Sequence, residues 1–278
     1  MPLTPTTEIM RAARADGRGV GAFNVIQLEH AEALVAGAEA AGAPVILQIS
    51  ENAVKYHGSL EPVAAGTLAV ARAGVVPVAV HLDHATVPAL VEEAVALGFG
   101  SVMYDASALP YDANVAATRE VAEKCHRHGV FVEAELGEVG GKDGVHAPGA
   151  RTDPAEAAAF VEATGIDALA IAVGTSHAML AKTAALDLDL IAAHRQVVPV
   201  PLVLHGSSGV PDADLTRAVD AGMTKINIAT ALNQAFTQAV RDYLAANPAV
   251  VDTRKYLAPG RDAVAAEVTR LLKVLKAS

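Results

Sequence analysis

No tryptophan occurs among the 278 residues, only 4% are aromatic, and Cys125 is the one cysteine. A lone cysteine excludes an internal disulfide and suits a reducing compartment, the cytoplasm. With so few rings, Ala, Val and Leu must build the core of a chain that is 52% hydrophobic. Layered α/β proteins, whose strands are near-continuous apolar runs, are built this way. Basic residues are in deficit, 21 Lys+Arg against 31 Asp+Glu for a formal charge of -10. Phosphate-rich nucleic acid is therefore an unsuitable partner, although a local anion pocket remains open to the chain. The first residues, "MPLTPTTEIMRAARADGRG", lack an apolar signal core, and no run approaches the ~20 residues of a membrane span. Nor is there a Pro/Ser-rich linker or low-complexity tail, so residues 1–278 read as one domain.

What is present is alternation. Apolar runs of strand length occur at 19–25 (GVGAFNV), 44–50 (PVILQIS), 76–84 (VPVAVHLDH) and 101–107 (SVMYDAS), then at 130–137 (VFVEAELG), 168–174 (ALAIAVG), 201–206 (PLVLHG) and 225–230 (KINIAT). Most intervals are roughly 25 to 35 residues, the length of one βα unit. "LEHAEALVAGAEAAG" and "PALVEEAVALGFG" between them have helical apolar spacing and stop at glycine. Eight such units predict a (β/α)8 TIM barrel, with extra helices at the C-terminus from Asn247. A doubly wound open sheet competes, but the even repetition favours closure. After Gly137, "EVGGKDGVHAPGARTDP" reads as a glycine-rich loop.

Chemistry in such barrels sits at the carboxyl ends of the strands. Here those ends carry Asn24, Ser50, Asp83, His84, Asp105, Glu135, His177, His205 and the stretch from Asn227 to Thr230. One strand-end histidine is ordinarily just hydrogen-bonded, and an Asp after a strand ordinarily caps a helix. Three histidines at three strand ends suggest more. His84, His177 and His205 are candidate ligands for Zn²⁺, which leaves an open position when three protein groups hold it. Asp83 cannot easily share that metal, because neighbouring strand residues point to opposite sides; it is expected to face the substrate and move a proton. His81, inside the third strand, is either a buried neighbour of the site or a bystander.

"HGSSGV" after strand seven and "NIAT" after strand eight occupy the usual barrel position for phosphate, where glycine turns and helix N-termini present N–H groups. Gly206, Ser208, Asn227 and Thr230 are the residues expected to hold it. Lys182 either adds charge there or is an ordinary helix-face lysine. Lysine Schiff-base chemistry is disfavoured: no lysine lies near the end of a core strand, and Lys225 is read as beginning its strand at the opposite face of the barrel.

The series "GAFNV", "LDH", "SVMYDAS", "EAELG", "GTSH", "HGSSG", "KINIAT" and "DTRKYLAPGRDA" resembles the class II, metal-dependent ketose-bisphosphate aldolases over almost the whole chain. Each motif is modest; their order and spacing together are specific. The resemblance implies reversible cleavage of a ketose 1,6-bisphosphate, of fructose or tagatose, to dihydroxyacetone phosphate and glyceraldehyde 3-phosphate. It makes His84, His177 and His205 the zinc ligands, Asp83 the acid that exchanges the hydroxyl proton, and Asp105 and Glu135 carboxylates of an alternative or second cation position. Asn24 and Ser50 correspond to substrate-positioning residues. Gly206, Ser207 and Ser208, with Asn227, Ile228, Ala229 and Thr230, correspond to the phosphate loops, which a sodium or potassium ion accompanies. Asp252 and Arg254 correspond to a segment that reaches the distal phosphate, in some members from a neighbouring subunit of a homodimer or tetramer.

Three departures stand out. The loop usually carries Glu-Asp-Gly, whereas this chain has "GGKDG", leaving Asp143 or Glu138 as second base. Ala178 replaces a glycine beside phosphate, and Ala229 stands where fructose-bisphosphate forms often have Asp or Asn, so "NIAT" is closer to the tagatose-bisphosphate forms. Another 1-phosphorylated ketose as substrate, a metal-dependent hydrolase on the same barrel and a non-catalytic sugar-phosphate-binding subunit remain the alternatives.

Overall fold

Eight parallel strands pair in chain order and close, β1 against β8, in the computed structural model, which describes residues 3–137, 151–176 and 179–278. The order is α1 (Thr6–Asp16), β1 (Val20–Asn24), α2 (Leu28–Ala41), β2 (Val45–Ser50), α3 (Glu51–His57), α4 (Glu61–Ala73), β3 (Val78–Ala85), α5 (Pro88–Leu97) and β4 (Ser101–Tyr104). It continues with α6 (Tyr111–His126), β5 (Phe131–Leu136), α7 (Pro154–Thr164), β6 (Ala168–Ile171), α8 (Leu188–Val197), β7 (Leu202–Leu204), α9 (Asp212–Ala221), β8 (Met223–Ile228), α10 (Thr230–Ala246) and α11 (Thr253–Val274). The predicted TIM barrel is the observed one. Helices α2 and α5 end on Gly42 (φ 65°) and Gly98 (φ 89°), the two stops legible in the sequence.

Strand parity divides the core. Outward positions such as Leu47, Val80, Val132, Leu169 and Ile226 join the surrounding helices in one apolar cluster. Inward positions Ile46, Ala79, Phe131, Ala168 and Val203 form a second cluster, closed from below by Ile9, Met10 and Ala13 of α1. Two residues further along the strands, on the same face, the barrel turns polar at Gln48, His81 and Glu133, which are buried together with Ser101 and Lys225. The residues at the strands' carboxyl ends stand above that layer.

Two expectations change. β8 begins at Met223, so Lys225 is its third residue and points into the barrel, 1% exposed, instead of starting the strand. Lys182 lies in a bend, not on a helix. Among the described residues no helix is long and apolar enough to cross a membrane.

Candidate active site

The carboxyl end of β3 departs from regular pleating. Its register against β4 shifts between Leu82 and Ala85, and His84 adopts φ 52°, rare for a residue with a side chain. Ala79, His81 and Asp83 face inward by alternation, which would send His84 outward to the helices. The bulge turns His84 back instead, so Asp83 and His84 open on the same mouth, His84 Nε2 4.0 Å from Asp83 Oδ1. The opposite-sides expectation for this pair is therefore corrected. The strained backbone sits at the chemistry, where such strain is commonly stored. Asp83 does not cap α5, which begins after Val87 with no side-chain cap.

His205, just past β7, is fully buried, and its ring lies 4.6 Å from that of His84 at 74°. Carboxylates surround the pair. Asp105 Oδ2 is 2.9 Å from His84 Nδ1, and Glu135 Oε2 is 3.1 Å from His205 Nδ1. Ligand-capable atoms of Asp83, His84 and His205 lie within 4.8 Å of one another, as do those of His84, Asp105 and Glu135. Imidazole nitrogens with carboxylate oxygens at this separation suit a divalent transition metal, and two overlapping sets allow a second position. His177, the third expected ligand, falls outside the described residues, as do Asp143, Glu138 and Ala178.

Beneath the mouth, charges are matched. Glu133 Oε1 is 3.1 Å from His205 Nε2, and its Oε2 is 2.8 Å from Lys225 Nζ. Burial alone would lower the His205 pKa, but Glu133 and Glu135 raise it to about 9 in the metal-free protein. Burial and then Lys225 push His81 down to about 3, so that ring is neutral. Burial opposes ionisation of Asp83, yet His84, Lys225 and His205 hold its carboxyl below the usual range. Asp83 also accepts hydrogen bonds from Asn227 Nδ2 (3.3 Å) and Gln48 Nε2 (3.4 Å), and Gln48 donates to Asn24 Oδ1 at 2.7 Å.

Asp83, His84 and Asp105 line a cavity of about 630 Å³ together with Asn24, Ser50, Gly206, Ser207, Ser208, Asn227, Ala229 and Thr230. Ser50 also caps α3, accepting from Ala53 N at 3.2 Å. Gly206 takes φ 69°, and a Cβ there would sit 2.6 Å from the Ser176 carbonyl oxygen, so only glycine fits this turn. Ser208 Oγ accepts from Ala231 N in the first turn of α10 at 3.2 Å, while the N-cap residue Ala229 supplies no side-chain acceptor, so the turn after β7 and the start of α10 meet at the rim. Buried Gln48 Oε1 and Asn227 Oδ1 have no hydrogen-bond partner among the described residues, which leaves two acceptors for donor groups.

Other expected residues lie elsewhere. Ile228 faces the core at 1% exposure. Lys182 Nζ bonds Asp212 Oδ1 at 2.5 Å and does not line the cavity. Asp252 caps α11 and pairs with Arg254 at 2.8 Å; neither lines the cavity, and the Arg254 side chain is 88% exposed. Sequence reasoning missed Gln48, Glu133 and the interior position of Lys225. Their signal was a polar residue at inward parity within an apolar strand.

Comparison with known proteins follows the same lines. The family model described as "Fructose-bisphosphate aldolase class-II" matches residues 4–278. A "Probable fructose-bisphosphate aldolase" of Bacillus subtilis (strain 168) is 42% identical over 268 residues, 95% of this chain and 94% of that protein. Among solved structures, the YdjI aldolase from Escherichia coli K12 superposes with a TM-score of 0.87 at 32% identity, covering 99% of this chain and 98% of its own. Fructose-bisphosphate aldolase from Campylobacter jejuni, 23% identical, shares the fold with a TM-score of 0.82 over 97% of this chain and 93% of its own.

Proposed function

This chain belongs to the class II fructose-bisphosphate aldolase family, and on that premise we propose that it reversibly cleaves fructose or tagatose 1,6-bisphosphate with a zinc ion at the His84–His205 cluster. The products are dihydroxyacetone phosphate and glyceraldehyde 3-phosphate, and the setting is a cytoplasmic homodimer or tetramer. The observation that carries the reading is the meeting of His84, His205, Asp105 and Glu135 beside Asp83 at one mouth. His177 completes the ligand set in this proposal. When bound, the cation supplies the positive charge that takes up the electron pair left on the ketose fragment as its carbon–carbon bond breaks.

The chain's own groups do the rest. Asp83, ionised and braced by Gln48 and Asn227, takes the C4 hydroxyl proton during cleavage and returns it during condensation. Asp143 serves as second base, exchanging the proton at C3. Gln48 Oε1 and Asn227 Oδ1 accept from substrate hydroxyls, which orients the scissile bond. Phosphate binds where Gly206, Ser207 and Ser208 face Asn227, Ala229 and Thr230 at the start of α10, with a sodium or potassium ion. Arg254 and Asp252, exposed and away from this chain's cavity, reach the distal phosphate of a neighbouring subunit's substrate. Lys225 is locked to Glu133 beneath the mouth and does not line the cavity, which argues against a Schiff base.

The test is a panel of ketose phosphates assayed for dihydroxyacetone phosphate release. Activity is expected to vanish on chelation and return with Zn²⁺, with kcat/KM ranking the sugars. Undiminished release from protein shown to be metal-free, or no release from any ketose phosphate by zinc-loaded protein, overturns the reading.

A further inference from the structure

Two opposite charges lie in the interior of the barrel below the substrate cavity, where Leu and Met would fill the space without the cost of desolvation. Glu133 is 0% exposed on β5 and Lys225 1% exposed on β8. Neither lines the cavity, and the reaction described above uses neither. Their geometry has a direction. Lys225 Nζ takes Glu133 Oε2 at 2.8 Å, which leaves Oε1 to face His205 Nε2 at 3.1 Å. A carboxylate held by an ammonium group can only accept, so once a cation takes Nδ1 from Glu135 the remaining hydrogen of the His205 ring stays on Nε2, against Glu133. The other nitrogen, Nδ1, lies 3.1 Å from Oε2 of Glu135, a carboxylate of the candidate metal cluster. On its far side Lys225 Nζ meets His81 Nε2 at 3.4 Å; His81 Nδ1 meets Ser101 Oγ at 2.9 Å, and Thr6 Oγ1 of α1 donates to that Ser101 oxygen at 2.8 Å. The pair is thus anchored to the helix that closes the barrel floor.

We propose that Glu133, held by Lys225, is the positioning residue that fixes the His205 ring and its tautomer, so that Nδ1 is the atom presented to the metal. This rests on reading His205 as a metal ligand. Lys225 has the task of keeping Glu133 an acceptor and occupying its second oxygen, so that the ring cannot swing and its hydrogen cannot move to Nδ1. Outer partners of this kind commonly change metal affinity 10- to 100-fold.

Removing one member would strand a buried charge, so both are replaced together. Glu133→Leu with Lys225→Met removes the acceptor; Glu133→Gln with Lys225→Met retains a neutral one. Zinc dissociation constants come from competition with a chelator, with circular dichroism and melting on the same samples. His205→Ala tests the underlying reading: unaltered zinc affinity in that variant means His205 is no ligand. The inference expects about 10- to 100-fold weaker zinc binding in the Leu/Met pair, a smaller loss in the Gln/Met pair, and an altered visible spectrum of the cobalt-substituted protein. If His205→Ala loses zinc while the folded Leu/Met pair binds within twofold of the unmodified protein, this inference alone fails. Nitrogen NMR of the zinc-loaded unmodified protein decides the case even where the pairs do not fold. A His205 ring protonated at Nε2 and coordinated at Nδ1 supports the proposal, and the reverse overturns it.

Discussion

Asp83 is buried yet ionised, held by neighbouring cationic groups and by the amides of Gln48 and Asn227. Asp83→Asn keeps its shape and removes its ability to accept a proton. It is expected to lower kcat by about 10²- to 10⁴-fold with KM little altered and the melting temperature lowered, because the surrounding cationic groups outweigh burial and favour the ionised carboxylate in the folded state. Turnover within threefold of normal would remove Asp83 from the proton transfer. Gln48→Leu, which takes away one donor to Asp83 and the tie to Asn24, is expected to cost about fivefold in kcat, the value of ~1 kcal/mol of hydrogen bonding; unchanged kcat would show that Asn227 suffices. Asp83, His84 and His205 were legible in the sequence because each ends an apolar run, where the barrel places its chemistry. Gln48, Glu133 and Lys225 were not, because a polar residue within an apolar run reads as an interruption until parity is followed. Glu133 and Glu135, two apart in "FVEAEL", are the clearest instance: both must share the inward face.

Among elements, the β3 bulge and the turn after β7 set the site. Alternation alone sends His84 to the helices, and nothing in "HLDHA" announces the φ of 52° that returns it; a register shift depends on the neighbouring strand. The β7 turn was legible through Gly206. Gly206→Ala must bear a left-handed φ, costing ~1–2 kcal/mol, and an overlap with the Ser176 carbonyl. The denaturation midpoint should fall and substrate KM rise together. An unchanged midpoint would show that the turn relaxes freely. The eight strands were readable because continuous apolar runs report strands buried on both faces. β8 was misplaced by two residues because Met223 and Thr224 lack that signature, which hid the inward aim of Lys225.

For the whole molecule, closure followed from counting eight βα units, whereas charge balance inside the barrel depended on three-dimensional neighbours. That balance predicts a pH dependence. In metal-free protein the His205 pKa is raised from 6.5 to about 9, so its contribution to stability is complete below pH 6.5 and is lost as pH rises through 9. His81, lowered to about 3, acts in the opposite sense below pH 6.5. Chelated protein should therefore lose stability between pH 6.5 and 9.5 more steeply than zinc-loaded protein, in which the coordinating imidazole is already neutral. Equal slopes in the two unfolding series would contradict the placement of His205 among the ligands. The central claim, one cation shared by imidazoles from β3 and β7, is tested most directly by anomalous diffraction at the zinc edge from active crystals. The account predicts a peak about 2.0–2.1 Å from ring nitrogens of both His84 and His205. A peak bonded to neither ring, or none at all in catalytically active crystals, would contradict it.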